Sequence, residues 1–253
     1  MTTSQTQIAL ITGAAQGIGY EIAKTFIANG YHSVLADINT DKGTTAAHQL
    51  GNNASFITLD VTDEAQWQQV LQQTIDDFGK LDVLVNCAGI SLPGSIEDCT
   101  LELFQKIQRI NVDSVFLGCK YGIQAMKNQH SGQIINIGST LGIRPLSIHT
   151  PYGASKAAVT SITKTAALHC AEQKYNIRVN TVHPGAVRTP MYESYLDMAE
   201  DRQAAEAQFA ATHPMGRIAE PVDIANAVYF LASPQASFIT GVDLPVDGGF
   251  TAA

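Results

Sequence analysis

Gln7-Ile-Ala-Leu-Ile-Thr12-Gly13-Ala-Ala-Gln-Gly17-Ile-Gly19 is a short apolar run that opens into a glycine-rich turn. A brief, continuous apolar stretch bounded by a turn reads as a strand buried on both faces. Helical sequence begins inside the turn and continues through Ala28, where Asn29-Gly30 stops it. Glycines between a strand and a helix let the main chain approach a pyrophosphate. The free N–H groups and positive dipole end of the helix favour the same anion. Gly13, Gln16, Gly17, Ile18 and Gly19 are therefore candidate cofactor-binding residues.

The alternation continues along the chain. His32-Ser-Val-Leu-Ala-Asp37 is a second strand, and Asp37 stands where a carboxylate can meet adenosine ribose hydroxyls. On its own it is equally a solvent-facing residue at a strand end. A third strand runs through Ala54–Val61, with Asp60 and the main chain of Val61 at the edge of an adenine site. Trp67, Val70, Leu71, Ile75 and Phe78 repeat at helical spacing, which is core packing. Leu81–Asn86 is the fourth strand, followed by Cys87-Ala88-Gly89-Ile90, small residues that let the chain pass beside a flat ligand. Asn86, Ala88 and Gly89 join the cofactor candidates. A helical segment from about Leu101 to Met126 carries Phe104, Ile107, Val115, Phe116, Cys119 and Ile123 as an apolar stripe, interrupted by Asn111. A mid-helix Asn competes for main-chain groups, so it is either a satisfied polar residue or a holder of water. Gln133–Gly138 and Arg178–His183 are the fifth and sixth strands; a helix over Pro221–Ala232 and a strand over Val242–Val246 close the chain. Successive βα units imply a parallel sheet with helices on both faces. The expected fold is a single doubly wound Rossmann-type α/β domain, residues 1–253, with about seven strands.

The 253 residues, 45% of them hydrophobic, suffice for one full core. A net charge of −8 without any Lys/Arg run argues against nucleic acid. Nothing reads as a membrane span, and Met1-Thr-Thr-Ser-Gln-Thr lacks a signal-peptide core. Cys87, Cys99, Cys119 and Cys170 lack metal or redox spacing, which predicts reduced thiols, no metal and a cytoplasmic protein.

Chemistry concentrates at Tyr152-Gly-Ala-Ser-Lys156. On a helix Tyr152 and Lys156 stack four residues apart, and an ammonium favours phenolate over phenol. That is expected to draw the tyrosine pKa from about 10 toward neutrality. Such pairs also occur on ordinary solvated helices. Ser139, just past the fifth strand, lies where parallel sheets place ligands, although a serine there can also be a simple cap.

Together these pieces resemble the short-chain dehydrogenase/reductase family. The matching stretches are Thr12-Gly-Ala-Ala-Gln-Gly-Ile-Gly19, Asn86-Cys-Ala-Gly89, Asn111, Ser139, Tyr152 with Lys156, and Pro184-Gly185, in family order across nearly the whole chain. Cys87 departs from the pattern, which has Asn or Ala there. Ala166–Cys170, Ile177–Pro184, Pro214–Gly216 and Val246–Thr251 are similar to bacterial secondary-alcohol dehydrogenases, R-specific ones included, and in part to 3β/17β-hydroxysteroid dehydrogenases.

The resemblance implies Tyr152 as general acid/base, Lys156 on the nicotinamide ribose, Ser139 on the substrate oxygen and Asn111 holding a water that links Lys156 to solvent. It adds Pro184, Gly185, Val187 and Thr189 to the cofactor residues. Residues 190–213 are expected to form a lid. Substrate walls are expected from Leu141, Ile143, Leu146, His149, Ala186, Tyr192, Tyr195 and Leu196, which suit a small apolar ketone or secondary alcohol. Asp37, with no cation in the glycine loop, implies NAD(H). A homotetramer is expected from the family, with small residues along the Tyr152–Glu172 helix and an apolar tail, Gly248–Ala253, as docking surfaces. The alternatives are a hydroxysteroid dehydrogenase, a 3-oxoacyl thioester reductase and a dinucleotide-binding sensor without turnover.

Overall fold

A computed structural model describes residues 6–253. Seven parallel strands, β1 (Gln7–Thr12), β2 (Tyr31–Asp37), β3 (Ala54–Thr58), β4 (Val83–Asn86), β5 (Gly132–Ile137), β6 (Ile177–Pro184) and β7 (Asp243–Val246), lie in the order β3-β2-β1-β4-β5-β6-β7. The chain builds outward from β1 to one edge, returns to β4 and builds to the other. The reversal between β1 and β4 opens a crevice at the carboxyl ends of the strands, the usual ligand position in such sheets.

Alternation along each strand divides the core into two layers. Ile8 and Leu10 of β1 face one side, where α3 (Glu64–Phe78), α5 (Ser114–Met126) and α6 (Thr150–Glu172) pack through Trp67, Leu71, Leu117, Val159 and Cys170. Ala9 and Ile11 face the other, against α1 (Gly17–Ala28), α2 (Thr40–Leu50) and α9 (Pro221–Ala232) through Ile22, Phe26, Ala46, Val228 and Leu231. Helix ends follow local chemistry. Asp63 caps α3 by accepting the N–H groups of Ala65 and Gln66, and Gly79, at φ +79°, ends it. Pro221 opens α9 within a reciprocal Glu220–Asp223 box, so this helix matches its expected bounds.

The expected helix over Leu101–Met126 is three pieces: α4 (Leu101–Gln108), a π-turn over Arg109–Asp113 and α5. A π-turn adds one residue to a turn and rotates everything after it. Val115, Cys119 and Ile123 pack on the core as expected and Leu117 joins them, whereas Phe116, expected there, is 52% exposed. Beyond β6 come α7 (Pro190–Asp197) and α8 (Arg202–Ala211), where the lid is expected. No helix among the described residues is long and apolar enough to cross a membrane, and no group of His, Cys, Asp and Glu among them could hold a metal ion.

Candidate active site

A cleft of about 560 Å³ runs along the carboxyl ends of the strands, from Asp37 at one end to Tyr192 and Tyr195 at the other. Its floor is main chain. Thr12 Oγ1 accepts the N–H groups of Cys87 and Ala88, at 3.0 and 3.1 Å, and locks the loop after β4 onto the end of β1. The two loops touch so closely that a Cβ on Gly13 would lie 2.8 Å from Ala88 Cα. At the outer end Asp37 spans the glycine turn: Oδ2 accepts the Ala15 N–H at 3.1 Å and Oδ1 the Asn39 N–H at 2.9 Å. Lys42 Nζ donates to Gln16 Oε1 at 3.3 Å on the same rim. Asp60 is fixed by Thr62, and Trp67 Nε1 donates to the carbonyl of Val61 at 2.9 Å.

The inner end is assembled by α6. Tyr152 and Lys156 occupy one face of its first turns, with Nζ 5.7 Å from the centre of the tyrosine ring. Lys156 Nζ donates to the carbonyl of Ile137, the last residue of β5, at 2.9 Å. Ser139 follows β5 in an extended conformation, and its Oγ caps a short 3-10 turn (Thr140–Gly142) by accepting the Leu141 N–H at 3.1 Å. That turn lies directly on α6: a Cβ on Gly142 would stand 2.7 Å from the carbonyl carbon of Lys156. Asn111 joins the halves from the π-turn. Its amide donates to Ile90 O and Ser155 Oγ and its oxygen accepts the Ile90 N–H, while Ser155 donates to the carbonyl of Tyr152. Gly89 passes between Asn111 and Lys156, where a Cβ would meet Oδ1 at 3.2 Å and Nζ at 3.4 Å. A side chain there would be tight against Asn111, and glycine leaves a flat surface beside the ammonium.

Electrostatics at this end differ from the expected lowering of the phenol. Burial pushes Tyr152 up to about 12, with only partial relief from the Ser139 hydroxyl, and burial pulls Lys156 down to about 8. Desolvation is the largest cause of both shifts. The sign for stability follows. Between pH 8 and 10.5 the unfolded chain binds more protons at Lys156 than the folded one, so folding strengthens as pH rises through that window. Relative to Lys156→Met, the native protein is expected to gain about 2.5 kcal/mol of unfolding free energy between pH 7 and 10 in urea titrations. A constant difference across that range would contradict the burial of a titrating ammonium.

Most expected site residues line the cleft: Gly13, Gln16, Gly17, Ile18, Gly19, Asp37, Asp60, Val61, Ala88, Gly89, Ser139, Leu141, Tyr152, Lys156, Pro184, Gly185, Ala186, Val187, Thr189, Tyr192 and Tyr195. Four candidates do not. Asn86 is turned into the sheet, where its amide donates to Asn136 Oδ1 at 2.8 Å and its carboxamide fills the space left by Gly118. Ile143 follows the tight turn on α6 and points to solvent, 45% exposed. Leu196 of α7 turns into a small core with Tyr192 and Ile218. Asn111 is behind the cleft wall rather than on it.

The sequence reading missed Ile38, Ser91, His213 and Phe250, which line the cleft. His149 also faces it: with Ser91 it flanks the Tyr195 hydroxyl, at 3.3 and 2.7 Å respectively. The tail, expected to dock on a neighbouring subunit, folds onto its own chain. Arg144 donates to the carbonyl of Phe250 at 2.7 Å and lies over its ring. The only signal for Phe250 was an apolar residue after two glycines. Arg188 ties α8 to the body through Glu206 at 2.6 Å and Glu220 at 3.3 Å.

A family model described as enoyl-(acyl carrier protein) reductase matches residues 13–251. The chain belongs to the short-chain dehydrogenase/reductase family. It is an oxidoreductase of that family, whose members bind a nicotinamide dinucleotide. A NADP-dependent (R)-specific alcohol dehydrogenase of Lentilactobacillus kefiri is 40% identical over 249 residues, covering 97% of both chains. A 3-beta-hydroxysteroid dehydrogenase of Comamonas testosteroni is 40% identical over 243 residues, covering 96% of this chain and 95% of the relative. Among solved structures, a 3-ketoacyl-(acyl-carrier-protein) reductase from Brucella melitensis complexed with NADH superposes with a TM-score of 0.89 at 35% identity, covering 97% of this chain and 98% of its own. In the present short-chain dehydrogenase/reductase, the side-chain-free floor at Gly13 and Gly89 and the carboxylate of Asp37 fit a dinucleotide laid from the glycine turn to Lys156.

Proposed function

We propose that this protein interconverts a secondary alcohol and a ketone with NAD(H). The observation that carries the reading is one cleft with Asp37 at its outer end and Ser139, Tyr152 and Lys156 together at its inner end. The coenzyme supplies or accepts the hydride. Tyr152 would donate its phenolic proton to the carbonyl oxygen in reduction and accept one in oxidation. A phenol held up to about 12 is a proton donor at neutral pH, which suits reduction. Ser139 Oγ would donate to the same substrate oxygen as negative charge grows on it. Lys156, beside the flat surface at Gly89, would hold the nicotinamide ribose hydroxyls. Asn111 would keep Ile90 and α6 in register and, with them, the route by which protons reach Lys156.

The substrate end has Leu141, Leu146, Ala186, Tyr192 and Tyr195 as walls, and burial keeps His149 on the neutral side of its usual range. Arg144 is engaged by Phe250, which weighs against recognition of an anionic acyl thioester. An initial-rate screen of cyclic and linear secondary alcohols, aryl ketones, steroids and acetoacetyl thioesters with both coenzymes tests the reading. NADH oxidation with a neutral apolar ketone is expected. A 2-oxo acid turned over faster than a neutral ketone of equal size would overturn the apolar pocket, and dinucleotide binding without any turnover would favour a sensor.

We also propose a homotetramer in the cytoplasm. Supporting the assembly, α4, α5 and α6 leave Leu101, Phe116 and Leu168 more than half exposed. Four unpaired cysteines among the described residues suit a reducing compartment. Light scattering at micromolar concentration is expected to return about four times the 27.0 kDa chain mass; a monomer mass overturns the assembly.

A further inference from the structure

We propose that His183 is a positioning residue for Ser139, itself held by Asp243 and Lys164. His183, on β6, is fully buried and does not line the cleft. Its Nδ1 lies 3.2 Å from the main-chain nitrogen of Ser139 and 2.8 Å from its carbonyl oxygen. On the other side of the ring, Nε2 lies 3.1 Å from Asp243 Oδ1 and 3.4 Å from Thr160 Oγ1. Asp243 opens β7 opposite Thr181 of β6, and its second oxygen accepts from Lys164 Nζ at 2.6 Å. Four groups from α6, β6, β7 and the loop after β5 thus form one line that runs from an exposed ammonium to the main chain of Ser139.

The chemistry of the partners fixes their roles. A carboxylate only accepts, so Nε2 must carry the proton. Although burial raises Asp243, the Lys164 and His183 contacts hold it below the usual carboxylate range, so it stays ionised. In the neutral ring Nδ1 then accepts the Ser139 N–H at 3.2 Å, and in the doubly protonated ring it donates to the Ser139 carbonyl at 2.8 Å, so either form ties it to the main chain of Ser139. The neighbouring residue is cut to fit: a Cβ on Gly138 would stand 2.6 Å from the imidazole. The ring occupies the space under the β5 loop that a side chain at 138 would otherwise take. With Leu141 N–H capped by Oγ on one side and the ring below, Ser139 is fixed at both main chain and side chain. The inference rests on Ser139 serving the substrate oxygen, as proposed above.

Amide replacements separate the two ring nitrogens. His183→Asn places an amide near the position of Nδ1 and keeps a partner for Ser139. His183→Gln reaches Asp243 and leaves Ser139 without one. His183→Gln is expected to lower kcat/KM for the ketone on the order of tenfold or more, the usual sensitivity to small misplacement. Coenzyme affinity should hold, and His183→Asn should recover most of the rate. In a Ser139→Ala background, His183→Gln should add no further loss. Equal losses in the two amide variants, or a His183→Gln loss that persists without the Ser139 hydroxyl, would overturn the role. If neither variant folds, ¹⁵N NMR of the intact protein decides: a proton on Nε2 is expected, and one on Nδ1 alone defeats the proposal. Ser139→Ala with full activity would instead sink the assignment of Ser139 itself, whereas an impaired Ser139→Ala beside an unaffected His183→Gln sinks only His183.

Discussion

Tyr152→Phe is expected to remove nearly all turnover, lowering kcat by 10²- to 10⁴-fold, the usual contribution of a general acid/base. NADH binding should stay within a few-fold. The phenyl ring keeps its place on α6, with Lys156 Nζ at the same 5.7 Å from its centre, so packing survives. What disappears is the one hydroxyl on this face that can pass a proton to the substrate oxygen beside Ser139. The loss therefore belongs in kcat rather than in coenzyme affinity. Lys156→Ala should damage both, because it removes a ribose contact and the ammonium. Retention of more than about a tenth of the native kcat in Tyr152→Phe would remove Tyr152 from the chemistry.

NADPH should serve at least about 100-fold less well than NADH in kcat/KM, a difference of about 2.7 kcal/mol. Asp37 is the reason. Its oxygens are fixed by the Ala15 and Asn39 N–H groups at the outer end of the cleft, so the carboxylate cannot swing away from a ribose. A 2′-phosphate there would bring about two negative charges within a few ångströms, and even at an effective dielectric near 20 the repulsion is several kcal/mol before screening. The nearby cation, Lys42, is already turned to Gln16, with Asp41 beside it in sequence. Ile38, on the rim and 67% exposed, offers no charge. The NADP-dependent relative from Lentilactobacillus kefiri makes this a sharp test, since one carboxylate can decide between coenzymes in chains of similar sequence. Asp37→Ser should shrink the ratio mainly by weakening NADH, and adding Ile38→Arg should begin to reverse it. Comparable kcat/KM values for the two coenzymes in the native protein would contradict the ribose assignment.

The fold was legible because two periodicities alternate cleanly. Apolar runs such as Gln7–Thr12 bury both faces, and helices such as α9 carry their stop and start signals in the chain. The glycine turn and the Tyr152–Lys156 pair were legible because their spacing is local, and Asp37 because it ends a strand, although the Ala15 N–H that it holds is 22 residues away. The failures all depend on distant ones. Asn86 ends a strand beside the cleft, yet it turns inward because Gly118 and Asn136 supply room and a partner. Ile143 stands two residues after Leu141 and Leu196 directly after Tyr195, both of which line the cleft, and spacing alone cannot orient a side chain over so short a stretch. Asn111 stood out in sequence as an interruption, but the π-turn that uses it to join Ile90 to Ser155 requires contacts 21 and 44 residues away. His183 gave no signal, because its meaning lies in Gly138, Ser139 and Asp243.

The folding of the tail onto its own chain bears on how this protein can be handled. Phe250 is at once a cleft residue and the anchor of Arg144, which belongs to the segment between Ser139 and Tyr152. Asp247 braces the same turn by accepting from Gly249 and Thr251. A fusion on this tail is therefore expected to disturb the Arg144–Phe250 contact, while the glycine turn and Asp37 lie at the far end of the cleft. A carboxy-terminally tagged protein is expected to differ from the untagged one in the KM of the ketone and to match it in the KM of the coenzyme, which side-by-side kinetics checks.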